Sequence, residues 1–237
     1  MPPANLPTRL SRRAALAGLA SLAACGPTSL APLTGPPHGR VVLLRGLLNV
    51  FSTGLNFLTA DLRQVDFDAR VRNYVEWPAL AEGIAKDARD GTLVRPFAII
   101  GHSYGADDAV VMANHLGGQG IGTDLLVTFD PTSGDPVGAG VVRVLNFYQD
   151  RDAVDRTLES GPGFTGTLEN RLVPGESHIS IDKQERLHAE VVALLQSLAT
   201  ERQARATRPV AAAPMLAEPV LAAPPMPVPP RQVRAGR

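Results

Sequence analysis

The sequence predicts one three-layer α/β domain: a mostly parallel sheet of about five to six strands with helices on both faces. Two observations carry this. Between residues 41 and 200, short apolar runs alternate with amphipathic stretches of helical period. The runs are apolar without interruption, so each strand must be covered on both sides, as in parallel sheets wrapped by helices. A length of 237 residues fits one domain with appended ends, and no internal repeat is visible.

Val41-Val42-Leu43-Leu44, closed by Arg45-Gly46, reads as the first buried strand. Gly54 to Gln64 carries Leu55, Leu58 and Leu62 near helical spacing, and Asp68 to Asn73 is a weaker strand candidate. Pro78 fits the first position of the next helix, where its missing N–H costs nothing, and Leu80, Ile84 and Ala88 continue one face. Trp77 before it reads as a packing residue. Pro96 to Ile100 is a second apolar strand, followed by a helix from about Tyr104 to Leu116. Asp124 to Phe129 and Val141 to Phe147 are two further strands. The last helix, Asp182 to Ala199, aligns Leu187, Val191, Leu194, Leu195 and Leu198 on one stripe.

The formal charge is zero, but it is divided along the chain. Residues 1–40 hold four arginines and no acid, and residues 201–237 hold six arginines and two acids, which leaves 13 basic and 21 acidic side chains in 41–200. A body that acidic is a poor nucleic-acid binder. A single cysteine excludes an internal disulfide and a cysteine-rich metal site.

Both ends read as something other than fold. Ser11-Arg12-Arg13 precedes the eleven small or apolar residues Ala14 to Ala24, too few to span a bilayer but enough for a signal-peptide core. Ser11-Arg12-Arg13-Ala14-Ala15-Leu16 resembles a twin-arginine (Tat) export signal. Leu22-Ala23-Ala24-Cys25-Gly26 resembles a bacterial lipobox, which implies a lipidated Cys25 as the first mature residue and a membrane anchor at the cell envelope. Gly26 is not the aspartate that commonly retains such proteins at the inner membrane, so the resemblance implies the periplasmic side of the outer membrane. The expected division is thus signal peptide 1–25, Pro/Gly tether 26–40, folded domain 41–200 and disordered Pro/Ala-rich tail 201–237.

The chemistry concentrates in Ala98-Ile99-Ile100-Gly101-His102-Ser103-Tyr104-Gly105-Ala106. This is G-x-S-x-G directly after a buried strand and directly before a helix, the context of a nucleophile elbow. The turn is so sharp that side chains two before and two after the serine would collide, hence Gly101 and Gly105. The hydroxyl of Ser103 then stands at a helix N-terminus, where backbone N–H groups favour developing negative charge.

This segment, with the strand and helix pattern from Val41 to about Leu198, resembles the α/β-hydrolase superfamily of lipases, esterases and thioesterases. The chain begins at what would be the superfamily's third strand and has no room for a cap domain, so the small, lidless, cutinase- or lipase-like members are the nearest in kind. The resemblance implies a Ser, acid, His order along the chain, no cofactor and no metal. His178, in a loop just before the final helix, is the expected base. His38 lies in the tether, His115 precedes any candidate acid, and His188 lies inside the last helix. His102 is expected to point away from the hydroxyl and to pack or bond locally.

Asp130, ending a strand in Phe129-Asp130-Pro131, resembles the acid site of pancreatic-type lipases. Asp150 or Asp152, after the next strand, is the alternative acid, although Asp150-Arg151-Asp152 with Asp155 and Arg156 also reads as a solvated charge run. The oxyanion hole should use the N–H of Tyr104 and one from Gly46 or Leu47, in a loop where Arg45 stands in place of the histidine common in esterases. Phe51, Ser52 and Thr53 are candidates for the acyl pocket. The glycine-rich stretch Pro162 to Gly166 reads as a loop near the site or as a plain surface turn.

The function implied is a serine hydrolase acting on a small acyl-ester, thioester or lipid substrate, as a monomer. Two rivals remain: a catalytically inactive hydrolase fold serving as an envelope lipoprotein, and an acyltransferase using the same residues.

Overall fold

A computed structural model of the chain describes residues 30–47 and 52–207. Six strands form one wholly parallel sheet: β1 (Arg40–Arg45), β2 (Asp68–Asn73), β3 (Phe97–His102), β4 (Leu125–Phe129), β5 (Arg143–Tyr148) and β6 (Thr167–Leu172). Their spatial order is β2-β1-β3-β4-β5-β6. Among the described residues four helices cover it: α1 (Gly54–Gln64), α2 (Trp77–Arg89), α3 (Tyr104–Gly118) and α4 (Glu185–Thr207), with short 3-10 turns at Tyr74–Glu76 and Ile181–Lys183.

The layers follow from the two-residue alternation of each strand. Val41, Leu43, Ala98, Ile100, Val127 and Phe147 face a core closed by Leu55, Leu58 and Leu62 of α1 and by Leu187, Val191 and Leu195 of α4. Val42, Leu44, Ile99, Leu126 and Val144 face the opposite core, closed by α2 and α3. The result is the three-layer α/β/α arrangement expected. Among the described residues there is no cap domain, and no helix is long and apolar enough to cross a membrane.

Three details depart from the sequence expectations. Strand β6 has no counterpart in the apolar pattern, because Thr167-Leu168-Glu169-Asn170-Arg171-Leu172 is an edge strand and largely exposed. Part of the expected tether is bonded to the body: the N–H and hydroxyl of Thr34 donate to the Asp66 carboxylate at 2.7 and 2.6 Å, and Arg63 donates to the carbonyl of Ala31 at 2.7 Å. Helix α4 starts after a 3-10 turn and runs to Thr207, past residue 200. The expected export signal, Cys25 and nearly all of the expected tail lie outside the described residues.

The chain leaves β1 toward β2 and then crosses to β3 on the other side. The C-terminal ends of β1 and β3 therefore diverge into a crevice, the place where open α/β sheets put their ligands.

Candidate active site

Strand β3 is wholly buried and delivers its last residue, His102, directly into Ser103. Ser103 has φ 58° and ψ −132°, a conformation costing a non-glycine residue roughly 1–3 kcal/mol. The close approach of the flanking turns requires its glycines. A Cβ on Gly101 would lie 2.0 Å from the Gly105 carbonyl oxygen, and one on Gly105 would lie 2.1 Å from that of Leu44. Ser103 is the residue before α3, so it stands at the helix N-terminus, where the first N–H groups have no carbonyl one turn earlier to bond.

His178 Nε2 lies 2.9 Å from Ser103 Oγ, and His178 Nδ1 lies 2.6 Å from Asp130 Oδ2. A carboxylate accepts only, so Nδ1 carries the proton and Nε2 is left to accept the serine O–H. Asp130 is fully buried at the end of β4, with φ 51°, and its own N–H donates to the Phe147 carbonyl at 2.7 Å. The backbone N–H of Gln149 donates to its Oδ1 at 3.1 Å and the Gln149 side chain to Oδ2 at 3.3 Å. Asp107 of α3 accepts from the N–H groups of Thr132 and Ser133 at 2.8 and 3.0 Å, which fixes the loop carrying Asp130. The His178 loop is braced by Ser180 Oγ, which accepts from the Ser177 N–H at 2.9 Å and donates to Glu176 at 2.7 Å.

The alternative acids are placed elsewhere. Asp150 is exposed. Asp152 takes a 2.7 Å bond from Arg156 Nη2, which holds its pKa down at about 2. It meets the histidine only through Arg156 and Gln149.

The oxyanion region differs from expectation at Gly46. Its N–H donates to Ser52 Oγ at 2.8 Å and is committed there; its role is steric, since a Cβ would lie 2.8 Å from that of Ser103. Leu47 and Tyr104, the other two expected donors, line the cleft. Arg45, in place of the usual histidine, turns away to Asn56 Oδ1, with bonds of 2.9 and 2.5 Å.

Sequence reasoning missed the role of His102. Its partners are not local: Nδ1 lies 2.8 Å from Ser52 Oγ, and Nε2 lies 2.7 Å from the backbone carbonyl of His178. Burial pushes the pKa of His102 down to about 4, so the ring is neutral across the physiological range. A carbonyl only accepts, so Nε2 of the neutral ring carries the proton and donates to the His178 carbonyl, and Nδ1 is left to accept the O–H of Ser52, whose oxygen accepts from Gly46. One continuous chain of bonds thus ties the loop after β1 to the loop carrying His178. A histidine and serine 50 residues apart give no sequence signal for this.

The cleft over Ser103 has a volume of about 370 Å³ and is lined by Leu47, Tyr104, Thr132 and Ile179 besides the polar groups above. The ring of Tyr104 stacks on Tyr74 at 5.9 Å. Ser52 lines the cleft; Phe51 lies outside the described residues. Trp77 packs against the core beneath α2, and Phe164 of the glycine-rich loop packs on the same core, so that loop is not part of the cleft lining. Among the described residues no cluster of histidine, cysteine and carboxylate groups is arranged to hold a metal ion.

No family model and no curated protein matches the chain. Solved structures similar to it include esterase PE8, at 16% identity and TM-score 0.49, covering 71% of this chain and 96% of that one. Human thioesterase 2 is similar at 12% identity and TM-score 0.49, covering 68% and 97%. A thioesterase of the prodiginine biosynthetic pathway in Streptomyces coelicolor, RedJ, is similar at 16% identity and TM-score 0.46, covering 70% and 95%. The strand order and the helices on both faces make this a three-layer α/β/α fold; the chemistry rests on the chain's own side chains.

Proposed function

We propose that the chain is a serine hydrolase that cleaves carboxylic esters or thioesters through an acyl-enzyme on Ser103. The observation that carries this reading is the line of bonds from Ser103 Oγ through His178 to a buried, fully partnered Asp130. A serine hydroxyl is a weak nucleophile until a base takes its proton as it attacks.

In the first step Ser103 Oγ adds to the acyl carbonyl while His178 Nε2 accepts the proton. The charge formed on the carbonyl oxygen is met by the N–H groups of Leu47 and Tyr104, each such bond being worth about 3–4 kcal/mol in the transition state. Asp130 stabilises the imidazolium without taking its proton. His178 then protonates the leaving alcohol or thiol, and in the second step activates water to release the acid. Leu47, Tyr104 and Ile179 at the rim are 46, 46 and 50% exposed, and among the described residues no element caps the cleft, which favours water over a second organic acceptor.

The test is labelling of the purified protein by a fluorophosphonate probe together with turnover of short-chain p-nitrophenyl esters. Ser103→Ala should abolish both, and His178→Ala should reduce them by several orders of magnitude. Asp130→Asn should lose on the order of 10⁴-fold, because the histidine is left in the wrong tautomer, while Asp150→Asn loses little. A folded protein that takes no label refutes the reading; label without ester turnover favours acyl transfer.

A further inference from the structure

Arg156 is the unexpected member of the site. It belongs to a stretch that reads in sequence as a solvated charge run, yet it is only 7% exposed. A buried guanidinium is costly unless its donors are met, and here they are met by the site itself. Nη1 donates to the carbonyl of Pro131 at 2.9 Å, and Nη2 and Nε donate to the two oxygens of Asp152 at 2.7 and 3.3 Å. Nε also lies 3.5 Å from Asp130 Oδ2, and Nη1 lies 3.5 Å from His178 Nδ1. The backbone at this point is held independently: Asn146 Nδ2 donates to the Arg156 carbonyl at 2.7 Å, and Asn170 pairs with both the N–H and the carbonyl of Leu158 at 2.9 Å.

We infer that Arg156 is a positioning residue for the acid–base pair, and that Asp152 sets how strongly its charge acts on His178. This rests on the reading of Ser103, His178 and Asp130 given above. Arg156 grips the peptide just after Asp130 through Pro131, and so fixes the carboxylate at the end of its left-handed turn. Electrostatically, Asp130 favours an imidazolium at His178 and Arg156 opposes it. Asp152, half-exposed on the far side of the guanidinium, cancels part of that opposition. Among the described residues, other charged or titratable groups near this cluster include His102, whose ring centre is 5.1 Å from that of His178, and Asp182 and Lys183 on the turn that follows. They are the same in every variant below.

The two partners therefore act with opposite signs. Removing the positive charge eases protonation of the base, so the acid limb of the pH profile of kcat/KM moves to higher pH. Removing Asp152 leaves Arg156 uncompensated, and the limb moves to lower pH. Charges this close, at a partly screened site, should move the limb by about one pH unit for Arg156 and by less for the half-exposed Asp152.

The experiment is the pH dependence, from 4 to 9, of p-nitrophenyl butyrate hydrolysis by the full chain. Variants are Arg156→Met, Arg156→Lys and Asp152→Asn, each checked for native melting by circular dichroism. Arg156→Met should raise the limb and lower kcat by roughly 10- to 100-fold at unchanged KM, through the lost grip on Pro131. Arg156→Lys should restore the position of the limb but not the full kcat. Asp152→Asn should lower the limb and keep kcat within a few-fold. Shifts in the same direction, or no shift in Asp152→Asn, overturn the inference, and a 10⁴-fold loss in Asp152→Asn overturns it by making Asp152 the acid. The Asp152 arm decides the matter even if the Met variant fails to fold. A wild-type protein without fluorophosphonate labelling would instead remove the functional reading on which the inference stands.

Discussion

Replacing Asp182 with asparagine isolates the energetic cost of one buried carboxyl group. Asp182 is fully buried where the turn after His178 meets the start of α1. Its Oδ2 accepts from the Gly54 N–H at 2.9 Å, while Oδ1 has no hydrogen-bond partner among the described residues. Burial pushes its pKa from 3.8 up to about 6. A carboxyl that holds its proton more tightly in the folded state favours folding at low pH. That contribution is complete below about pH 4 and is lost as pH rises through about 6. Two pH units of difference correspond to about 3 kcal/mol. Asparagine keeps an acceptor for Gly54 and carries no charge, so the variant should gain up to about 3 kcal/mol over wild type at pH 8 and nothing at pH 4.

His102 runs the other way in both proteins. Its pKa falls from 6.5 to about 4 on burial, so its contribution is present above pH 6.5 and is lost as pH drops through 4. In the wild type the two slopes nearly offset between pH 4 and 6. In Asp182→Asn only the histidine slope remains, and stability should fall by about 3 kcal/mol on acidification. Urea unfolding followed by the fluorescence of the single tryptophan, Trp77, at pH 4 to 8 measures both curves. A constant difference between the two proteins across that range would mean that the Asp182 carboxyl titrates alike in the folded and unfolded chain.

Ser52→Ala should cut kcat for p-nitrophenyl butyrate by about tenfold with little change in KM, because it opens the bonded chain between the loop after β1 and the His178 loop; unchanged kcat would leave that chain a purely structural one. The proposed lipid anchor predicts that Cys25→Ala releases the protein into the soluble fraction after detergent-free cell fractionation, and a variant that stays with the membrane and is normally processed contradicts it.

What the sequence revealed and what it hid divide along the distance between partners. The elbow is spelled by five adjacent residues between a buried strand and a helix, so Ser103, Gly101 and Gly105 stand out. His178 stands out because chain order leaves it alone in a loop after the last strands. Apolar flanks and the proline after it favour Asp130 over Asp150 and Asp152, but the feature that distinguishes it, a carboxylate 2.6 Å from an imidazole 48 residues away, exists only in three dimensions. Arg156 looks solvated in sequence because its neighbours are charged; only folding shows that its partners lie at the ends of two strands. Gly46 was misjudged for the same reason, since its N–H is claimed by a serine six residues on. Strand β6 was invisible because an edge strand with polar residues on both faces carries no apolar period.

That polar edge strand is nonetheless set in one register. Thr128, Asn146 and Asn170 are direct neighbours across β4, β5 and β6. Thr128 Oγ1 donates to Asn146 Oδ1, and Asn146 Nδ2 donates to Asn170 Oδ1, both at 2.8 Å. A slide of β6 by one residue turns Asn170 to the other side of the sheet, and a slide by two leaves the amide of Asn146 facing a side chain that cannot answer it. Apolar contacts tolerate such slides because one methyl group serves nearly as well as the next. A row of amides does not, because an unmet partner costs the whole desolvation of the one left behind. The row therefore acts as a vernier, reading position along the strand to a single residue where the hydrophobic pattern is too faint to do so.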